Sequence, residues 1–307
     1  MITLLLTKQI LIFFLLMAMG YLLVRLGFLK SSDSHVLSVV LIYLVCPAVM
    51  INSFQIDYTP EIRDGFLFAV GAGLIIHILL FIIGRLLKTV LHLSEIEQAS
   101  IIYSNAGFLI VPIIMNVLGN EWIIYTSGFL IVQQFFLWTH CLSLVSGEPQ
   151  WNPKKIISNV NMIAILIGLI CFILHLQLPE LVTDVFDSLG GMMGAASMIF
   201  LGILLGDVSW KEVFANRRLY LVTFLRLLAV PAVLILIMKY SGIAGLVEEG
   251  RTILFISLLA TMTPSATTVT LQAQLYGRDQ HYASQINVMT TIGCLVTIPL
   301  MTMLYQI

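Results

Sequence analysis

The sequence predicts an all-α integral membrane protein with about ten transmembrane helices, arranged as two inverted five-helix repeats. Three observations support this fold class. The 307 residues are 59% hydrophobic and only 10% charged, whereas a soluble domain carries roughly 25% charged residues. Ten apolar segments have the length of about 20 residues that a membrane-crossing helix needs. Two of these segments, one in each half of the chain, are interrupted by helix-breaking residues.

The apolar segments define ten predicted spans, numbered 1 to 10 in chain order. They cover residues 8–28, 35–54, 65–87, 97–118, 122–146, 157–176, 186–206, 218–239, 252–275 and 282–304. The longest polar connection, residues 147–155, contains two prolines and divides the spans five and five. We therefore predict that residues 1–150 form the first repeat and residues 151–307 the second. The first 24 residues also have features of a signal peptide, but the first repeat requires this helix, so we expect it to be retained.

The distribution of basic residues predicts the orientation, because Lys and Arg collect in cytoplasmic loops. One side of the predicted spans holds Arg25, Lys30, Arg85, Lys88, Lys154, Lys155, Lys211, Arg217, Arg218 and Arg278. The other side holds Lys8, Arg63, Lys239 and Arg251. We therefore expect a multi-pass protein of the plasma (inner) membrane with both termini outside. An odd number of spans per repeat turns the second repeat upside down, as in many secondary carriers.

The two interrupted segments, spans 4 and 9, occupy corresponding places in the two halves. The first contains Tyr103-Ser104-Asn105-Ala106-Gly107, with Pro112 following, and the second contains Thr261-Met262-Thr263-Pro264-Ser265. When the halves are registered on Gly119 and Gly277, Ala106 falls opposite Pro264. Paired broken helices in two repeats indicate a transporter binding site. The alternative is that these residues only kink two ordinary helices, whose main chains are satisfied by neighbouring Ser and Thr.

Local chemistry predicts where the second halves of these spans begin. Thr263 and Pro264 are typical of a helix start, as N-cap and first helical residue. In span 4, Asn105 can cap in the same way and Gly107 permits strained backbone or close approach of a ligand. Pro112 is an alternative position for the break, and the sequence leaves both open.

Helix starts near the middle of a membrane would offer free amide donors and partial positive charge to a small anion. Neutral hydrogen-bonding groups surround both breaks. The predicted substrate-binding residues are Ser104, Asn105, Ala106, Gly107, Pro112, Thr263, Pro264, Ser265 and Thr267. We therefore predict a binding site for an anion that uses no buried lysine or arginine.

Few ionisable groups lie inside the predicted spans. No carboxylate lies in the interior of a span, which argues against a sodium–proton antiporter because such relays use intramembrane carboxylates. His77 and Arg226 are candidates for coupling. The alternatives are a histidine bonded between packed helices, and an arginine that snorkels inward or pairs with a carbonyl group.

Further polar and small residues have two interpretations each. Gln133, Gln134, Asn287 and Thr290 flank the breaks and serve either interhelical hydrogen bonding, which we favour, or ligand contact. The glycines Gly190, Gly191, Gly194, Gly202 and Gly206 indicate close helix packing rather than space for a substrate.

Several functional classes are disfavoured. The chain has no HExxH or GxSxG motif and no glycine-rich phosphate loop, so we do not expect an enzyme. The four cysteines lie in apolar runs without metal-ligand spacing, and we expect neither a metal nor a cofactor. A net charge of −1 gives no reason to expect a nucleic-acid partner.

These segments resemble the auxin efflux carrier family, which includes plant auxin carriers and bacterial malate and malonate permeases. The resemblance runs along the whole chain. It lies in Ser104 to Pro112, Ala260 to Thr267, Leu275 to Asp279, Cys46-Pro47 and Leu201 to Gly206. It implies a scaffold from spans 1, 2, 6 and 7, and a transport domain from spans 3–5 and 8–10. It also implies that crossed spans 4 and 9 hold a carboxylate-bearing substrate, that access alternates by an elevator-type movement, and that the protein is a homodimer.

Two departures favour a bacterial small-acid permease over an auxin carrier. Plant members have a long central loop and neighbouring asparagines at the first crossing, whereas this chain has a short linker and Ser104 before Asn105. We therefore predict a secondary active transporter of small organic anions such as mono- or dicarboxylates, driven by membrane potential or a proton gradient. The alternatives are a sodium-coupled symporter of the bile-acid-carrier type and a membrane receptor or scaffold built on a carrier fold.

Overall fold

The computed structural model describes residues 2–149 and 153–306. Helices make up 83% of the described chain, which contains no strands. The helices, numbered in chain order, are α1 (Ile2–Arg25), α2 (Ser31–Asn52), α3 (Pro60–Leu91), α4 (Glu95–Ile102), α5 (Ala106–Val117), α6 (Asn120–Ser146), α7 (Pro153–Ile157), α8 (Val160–Ile173), α9 (Glu180–Leu205), α10 (Trp210–Ala215), α11 (Arg217–Tyr240), α12 (Gly250–Thr261), α13 (Thr267–Leu275) and α14 (Gln280–Gln306). The expected all-helical class is confirmed.

Seven helices in the described ranges are long and apolar enough to cross a membrane: α1, α2, α3, α6, α9, α11 and α14. The three remaining predicted spans contain the shorter apolar helices α5, α8 and α12. Two of the three are short because a break divides the span. The count of ten spans therefore stays a prediction.

The first break, residues 103–105, lies between α4 and α5. Pro112 lies inside α5, which continues through it, so Pro112 does not mark the break. A proline in a helix interior removes a single main-chain donor, the one that would bond the carbonyl four residues earlier. The side-chain Nδ2 atom of Asn116 donates to the carbonyl of Pro112 itself at 2.7 Å.

The second break, residues 262–266, lies between α12 and α13. The prediction that Thr263 caps the next helix and Pro264 begins it is wrong. α13 begins at Thr267, and Ala266 is its N-cap residue with extended φ and ψ of −64° and 131°. The physical reason is that residues 264–266 pair with the first break, as described below, and this pairing requires extended backbone.

The central linker is described only in part. Residues 150–152, which contain the predicted boundary between the repeats, lie outside the described residues, and so does the side chain of Lys155. Gly147 ends α6 with a φ of 84°, a left-handed conformation that glycine adopts without steric cost. The division into repeats at residue 150 stays a prediction.

The chain packs as two compact units. The first unit comprises the described residues of Met1–Arg63, Gly107–Ser127 and Ile157–Ser209. In it α1 packs along α9, and the end of α2 packs against α8 and α9. The unit therefore contains the four spans that the resemblance assigns to the scaffold, and in addition residues 107–127, which were expected in the transport domain.

The glycines of α9 have two different roles within the first unit. A Cβ added at Gly202 would collide with the main chain of α1, at Met17 O and Tyr21 N. A Cβ at Gly191 would meet nothing within 4 Å. Close packing, the predicted role, is confirmed for Gly202. At Gly191 it is wrong, because this part of α9 lines a cavity.

The second unit comprises the described residues of Asp64–Ala106, Gly128–Ile156 and Trp210–Ile307. α14 packs against α4, α11, α12 and α13, and α13 also packs against the end of α6. Both breaks lie in this unit. Its members come from both halves of the sequence, so the packing units are not the two predicted repeats.

Two helices of the second unit contain a π turn, over Leu137–Cys141 in α6 and Leu225–Ala229 in α11. The π turn of α11 carries Arg226 and precedes Pro231. Proline has no main-chain N–H group to donate to the preceding turn. Single π turns inside helices occur frequently at functional sites. The arginine that was singled out in the sequence thus lies on an irregular turn.

Candidate functional site

The two breaks pair with each other as a single antiparallel β-bridge between Ser104 and Ser265. The Asn105 amide donates to the Pro264 carbonyl at 2.9 Å, and the Ala266 amide donates to the Tyr103 carbonyl at 3.0 Å. Both breaks are buried, with Ser104 3% exposed and Ser265 1% exposed. Buried main chain outside helices must find partners, and here each break provides partners for the other.

Amide side chains from neighbouring helices hold each serine of the bridge. Gln133 of α6 donates through Nε2 to the Ser104 carbonyl at 3.0 Å and accepts from the Ser104 hydroxyl. Asn287 of α14 donates to the Ser265 carbonyl at 2.6 Å, and Thr290 Oγ1 accepts from the Ser265 amide at 3.1 Å. The favoured interpretation of these polar residues, hydrogen bonding between helices, agrees with their positions. The sequence did not predict that their partners are the breaks.

Asn105 has a donor without a partner. Its side chain is only 6% exposed, and its Nδ2 atom has no hydrogen-bond partner. Asn105 directly precedes Ala106, the first residue of α5. The first amides of a helix also lack partners within the helix. The first break therefore holds a buried hydrogen-bond donor next to a helix start.

Arg226 is the largest of the fully buried side chains and is 0% exposed. It donates through Nε and Nη2 to the Thr263 carbonyl, at 3.1 and 2.9 Å, and through Nη1 to the Ile101 carbonyl at 2.8 Å. Ile101 lies in the last turn of α4 and Thr263 just beyond α12. A single guanidinium group thus joins the carboxyl end of α4 to the unwound residues that follow α12. The contacts of Arg226 therefore agree with the alternative in which it pairs with carbonyl groups.

His77 lies among aromatic rings rather than at a break. Its Nδ1 atom lies 2.7 Å from the Gly73 carbonyl oxygen. Its ring centroid is 5.2 Å from that of Phe129 and 5.5 Å from that of Phe136. These contacts agree with a histidine packed between helices, the alternative to a coupling role.

Most of the predicted substrate-binding residues come together in the second unit. They are Ser104, Asn105, Ala106, Thr263, Pro264, Ser265 and Thr267. Gly107 and Pro112 belong to the first unit. Thr267 is half-buried in the first turn of α13, whereas Thr263 and Pro264 are buried. Seven of the nine predicted residues therefore lie in one unit, and their role in substrate binding stays a prediction.

The first unit contains two neighbouring cavities of about 450 and 480 Å³. Met115, Asn120, Asp187 and Gly190 contribute to the lining of both. Gly191 lines the second cavity, which explains why a Cβ there would be tolerated. Gly191 therefore adjoins open space. This was the less favoured of the two interpretations of the α9 glycines.

A family model for membrane transport proteins, the auxin efflux carrier family, matches the chain twice, over residues 5–154 and 150–302. The chain belongs to this family. The two matches together cover almost the whole sequence, so the resemblance is confirmed along its length. No curated protein matches the chain. This member of the membrane transport protein family thus has an all-helical fold whose two helix breaks are joined.

In this membrane transport protein a buried carboxylate lies at the beginning of α4. Glu97 is 3% exposed and accepts from Arg218 Nε at 2.7 Å and Nη2 at 3.2 Å, and from the Tyr282 hydroxyl at 2.8 Å. It also accepts from the Ser94 amide at 2.8 Å, while the Ser94 hydroxyl accepts from the Glu97 amide, which forms a capping box. This cluster was not predicted, because Glu97 stands at the edge of predicted span 4. The capping-box pattern Ser94 to Glu97 was the signal that could have found it.

Glu97→Ala is expected to lower the free energy of unfolding by about 2–3 kcal/mol, because it leaves Arg218 and Tyr282 without their acceptor. The Arg218 side chain is 38% exposed, so solvent limits the loss. Glu95→Ala is the matched control. Glu95 pairs with Lys88 at 3.1 Å, but both side chains are more than a third exposed, and we expect a change of about 0–1 kcal/mol. Thermal melting of both purified variants checks this, and equal losses would contradict it.

Proposed function

We propose that this protein is a secondary active transporter of small organic anions such as mono- or dicarboxylates, and that it binds them at the two joined breaks. The observation that carries the proposal is the buried Nδ2 atom of Asn105, which has no partner. A buried donor without a partner costs about 1–3 kcal/mol. A carboxylate oxygen is the acceptor that would satisfy it best, since hydrogen bonds to charged groups are the strong ones.

The charges around the breaks support an anion rather than a cation. α5 and α13 begin at the breaks, and each helix start carries about half a positive charge. The end of α4 carries about half a negative charge, but the guanidinium of Arg226 donates to its Ile101 carbonyl and to the Thr263 carbonyl beyond α12. These acceptors are therefore compensated. The positive start of α13 remains in the unit that contains Asn105, and its charge favours a carboxylate.

The lengths of the helices support a position near the middle of the bilayer. α4 and α5 have 8 and 12 residues, and α12 and α13 have 12 and 9. At 1.5 Å per residue these helices are about 12, 18, 18 and 14 Å long. The lengths in each pair add up to about 30 Å, the thickness of the hydrocarbon core, and the break comes near the middle of that length.

The remaining parts of the proposal concern the movement and the assembly. We propose elevator-type alternating access, in which the second unit carries the substrate, and a homodimer formed through the first unit. The two compact units support a movement of this kind because each has its own packed core. We propose a multi-pass protein of the plasma membrane with both termini outside.

The test is uptake by vesicles that contain the purified protein. Radiolabelled acetate, lactate, malate and malonate serve as probes, with glucose and an amine of similar size as uncharged and cationic controls. We expect uptake of at least one carboxylate above that of empty vesicles, with dependence on membrane potential or on a pH gradient. If no carboxylate enters faster than in empty vesicles, or the amine enters best, the proposed function is wrong.

A further inference from the structure

The end of α4 and the unwound residues after α12 present carbonyl oxygens that would ordinarily attract a small cation. The last carbonyl groups of a helix have no partners within the helix and carry partial negative charge. In carriers with broken helices, carbonyl groups of unwound main chain and of half-helix ends can coordinate a co-transported sodium ion. Here Arg226 donates to the carbonyl oxygen of Ile101, in the last turn of α4, and to that of Thr263, two residues beyond the end of α12.

We propose that Arg226 is a built-in counter-cation that occupies the place of a coupling cation, so that the carrier binds and moves its anion without sodium. This inference rests on the proposed function and deepens it, since it concerns how the same site is coupled. It distinguishes the anion carrier from the sodium-coupled alternative. A guanidinium group fixed to α11 cannot be exchanged with solution, whereas a sodium ion is bound and released in every cycle.

The geometry supports occupation of this place rather than simple packing. The guanidinium is fully buried, and its three hydrogen bonds end on carbonyl oxygens of both chain halves. Burying a charge is costly unless it is compensated. The end of α4 supplies about half a negative charge, and the Thr263 carbonyl oxygen accepts two of the three hydrogen bonds. The arrangement is that of one monovalent cation between a half-helix end and unwound main chain.

Removal of the side chain provides a direct test, because it leaves the two carbonyl groups without a donor and a vacancy of guanidinium size between them. Purified Arg226→Ala is expected to melt at a lower temperature than the parent protein. Guanidinium at about 10 mM should raise its melting temperature by about 2–4 °C more than it raises that of the parent. Sodium should act in the same direction, and choline, which is too large, should not.

Arg218→Ala is the matched control, since it removes another arginine from the same helix. Arg218 bonds Glu97 and the Leu91 and His92 carbonyl groups. We expect Arg218→Ala to be destabilised without any specific response to guanidinium or sodium. If added cations protect Arg226→Ala no more than Arg218→Ala, the inference is overturned.

Flux gives a second measurement. In vesicles, the parent protein should take up its carboxylate equally well when sodium is replaced by choline, and Arg226→Ala should lose at least about tenfold in uptake and regain part of it with guanidinium. An uptake by the parent protein that requires sodium overturns the inference, even if Arg226→Ala does not fold. The melting experiment contains no carboxylate, since the three cations are added as chloride salts. Protection of Arg226→Ala by cations, without carboxylate uptake by the parent, would therefore disprove the proposed function and leave the role of Arg226 standing.

Discussion

Replacing Asn105 by alanine is expected to reduce carboxylate uptake by about ten- to a hundredfold while the protein stays folded and inserted. The side chain is 6% exposed and its Nδ2 atom has no partner in the protein. Its loss therefore breaks no hydrogen bond of that donor in the empty carrier. A hydrogen bond to a charged group is worth about 1.5–3 kcal/mol, which corresponds to this range of affinity.

The measurement is initial uptake into vesicles, with the melting temperature as the test of folding. Asn116→Ala is the matched control, since Asn116 is an exposed asparagine on α5 whose amide bonds the Pro112 carbonyl. Its uptake should stay near that of the parent protein. Asn105→Asp should be at least as inactive as Asn105→Ala, because it replaces a donor by a negative charge. Normal uptake by Asn105→Ala would remove Asn105 from the site.

Pro264→Ala is expected to reduce uptake as well, for a different reason. The Pro264 carbonyl accepts from the Asn105 amide, and the fixed φ of proline favours the extended backbone of the second break. Alanine removes this restraint and allows α12 to extend into the break. Uptake unchanged in both Asn105→Ala and Pro264→Ala would show that the joined breaks do not bind the substrate.

Gly202→Ala is expected to destabilise the first unit by at least about 1–3 kcal/mol, the usual cost of forcing extra atoms into a packed interface. The added Cβ would collide with Met17 O, a main-chain atom of α1. Main chain in a helix cannot move aside as a flexible side chain can. α1 and α9 would have to separate along their contact.

Gly191→Ala is the matched control on the same helix. A Cβ at Gly191 meets nothing within 4 Å, and alanine favours helix more than glycine does by about 1 kcal/mol. The melting temperature of Gly191→Ala should equal or exceed that of the parent protein, while that of Gly202→Ala should fall. Equal melting temperatures of the two variants would contradict the close approach of α1 and α9.

The sequence predicted the class of fold and the positions of the breaks, because apolar length and helix-breaking residues act locally. It placed the second helix start wrongly, at Thr263 and Pro264 instead of Thr267. The cause is the bridge between Ser104 and Ser265, two residues far apart in the chain. This bridge involves one residue from each segment. It is too short to produce the alternating pattern by which a strand is recognised in a sequence.

The site residues divide in a similar way. Polar residues in apolar spans, such as Gln133 and Asn287, were identifiable because they are rare there, but their partners depend on tertiary packing. The sequence offered several roles for Arg226, and only the arrangement of α4, α11 and α12 shows which groups it holds. The sequence also could not separate the two roles of the α9 glycines, because glycine occurs both at close helix contacts and beside cavities.

The bridge has a consequence for biosynthesis. The Asn105 amide finds its acceptor only after Pro264 has been synthesised, about 160 residues later. At about 5–20 residues per second this takes roughly 8–32 s. During that interval the unwound segment of the nascent chain lacks the partner that it has in the folded protein.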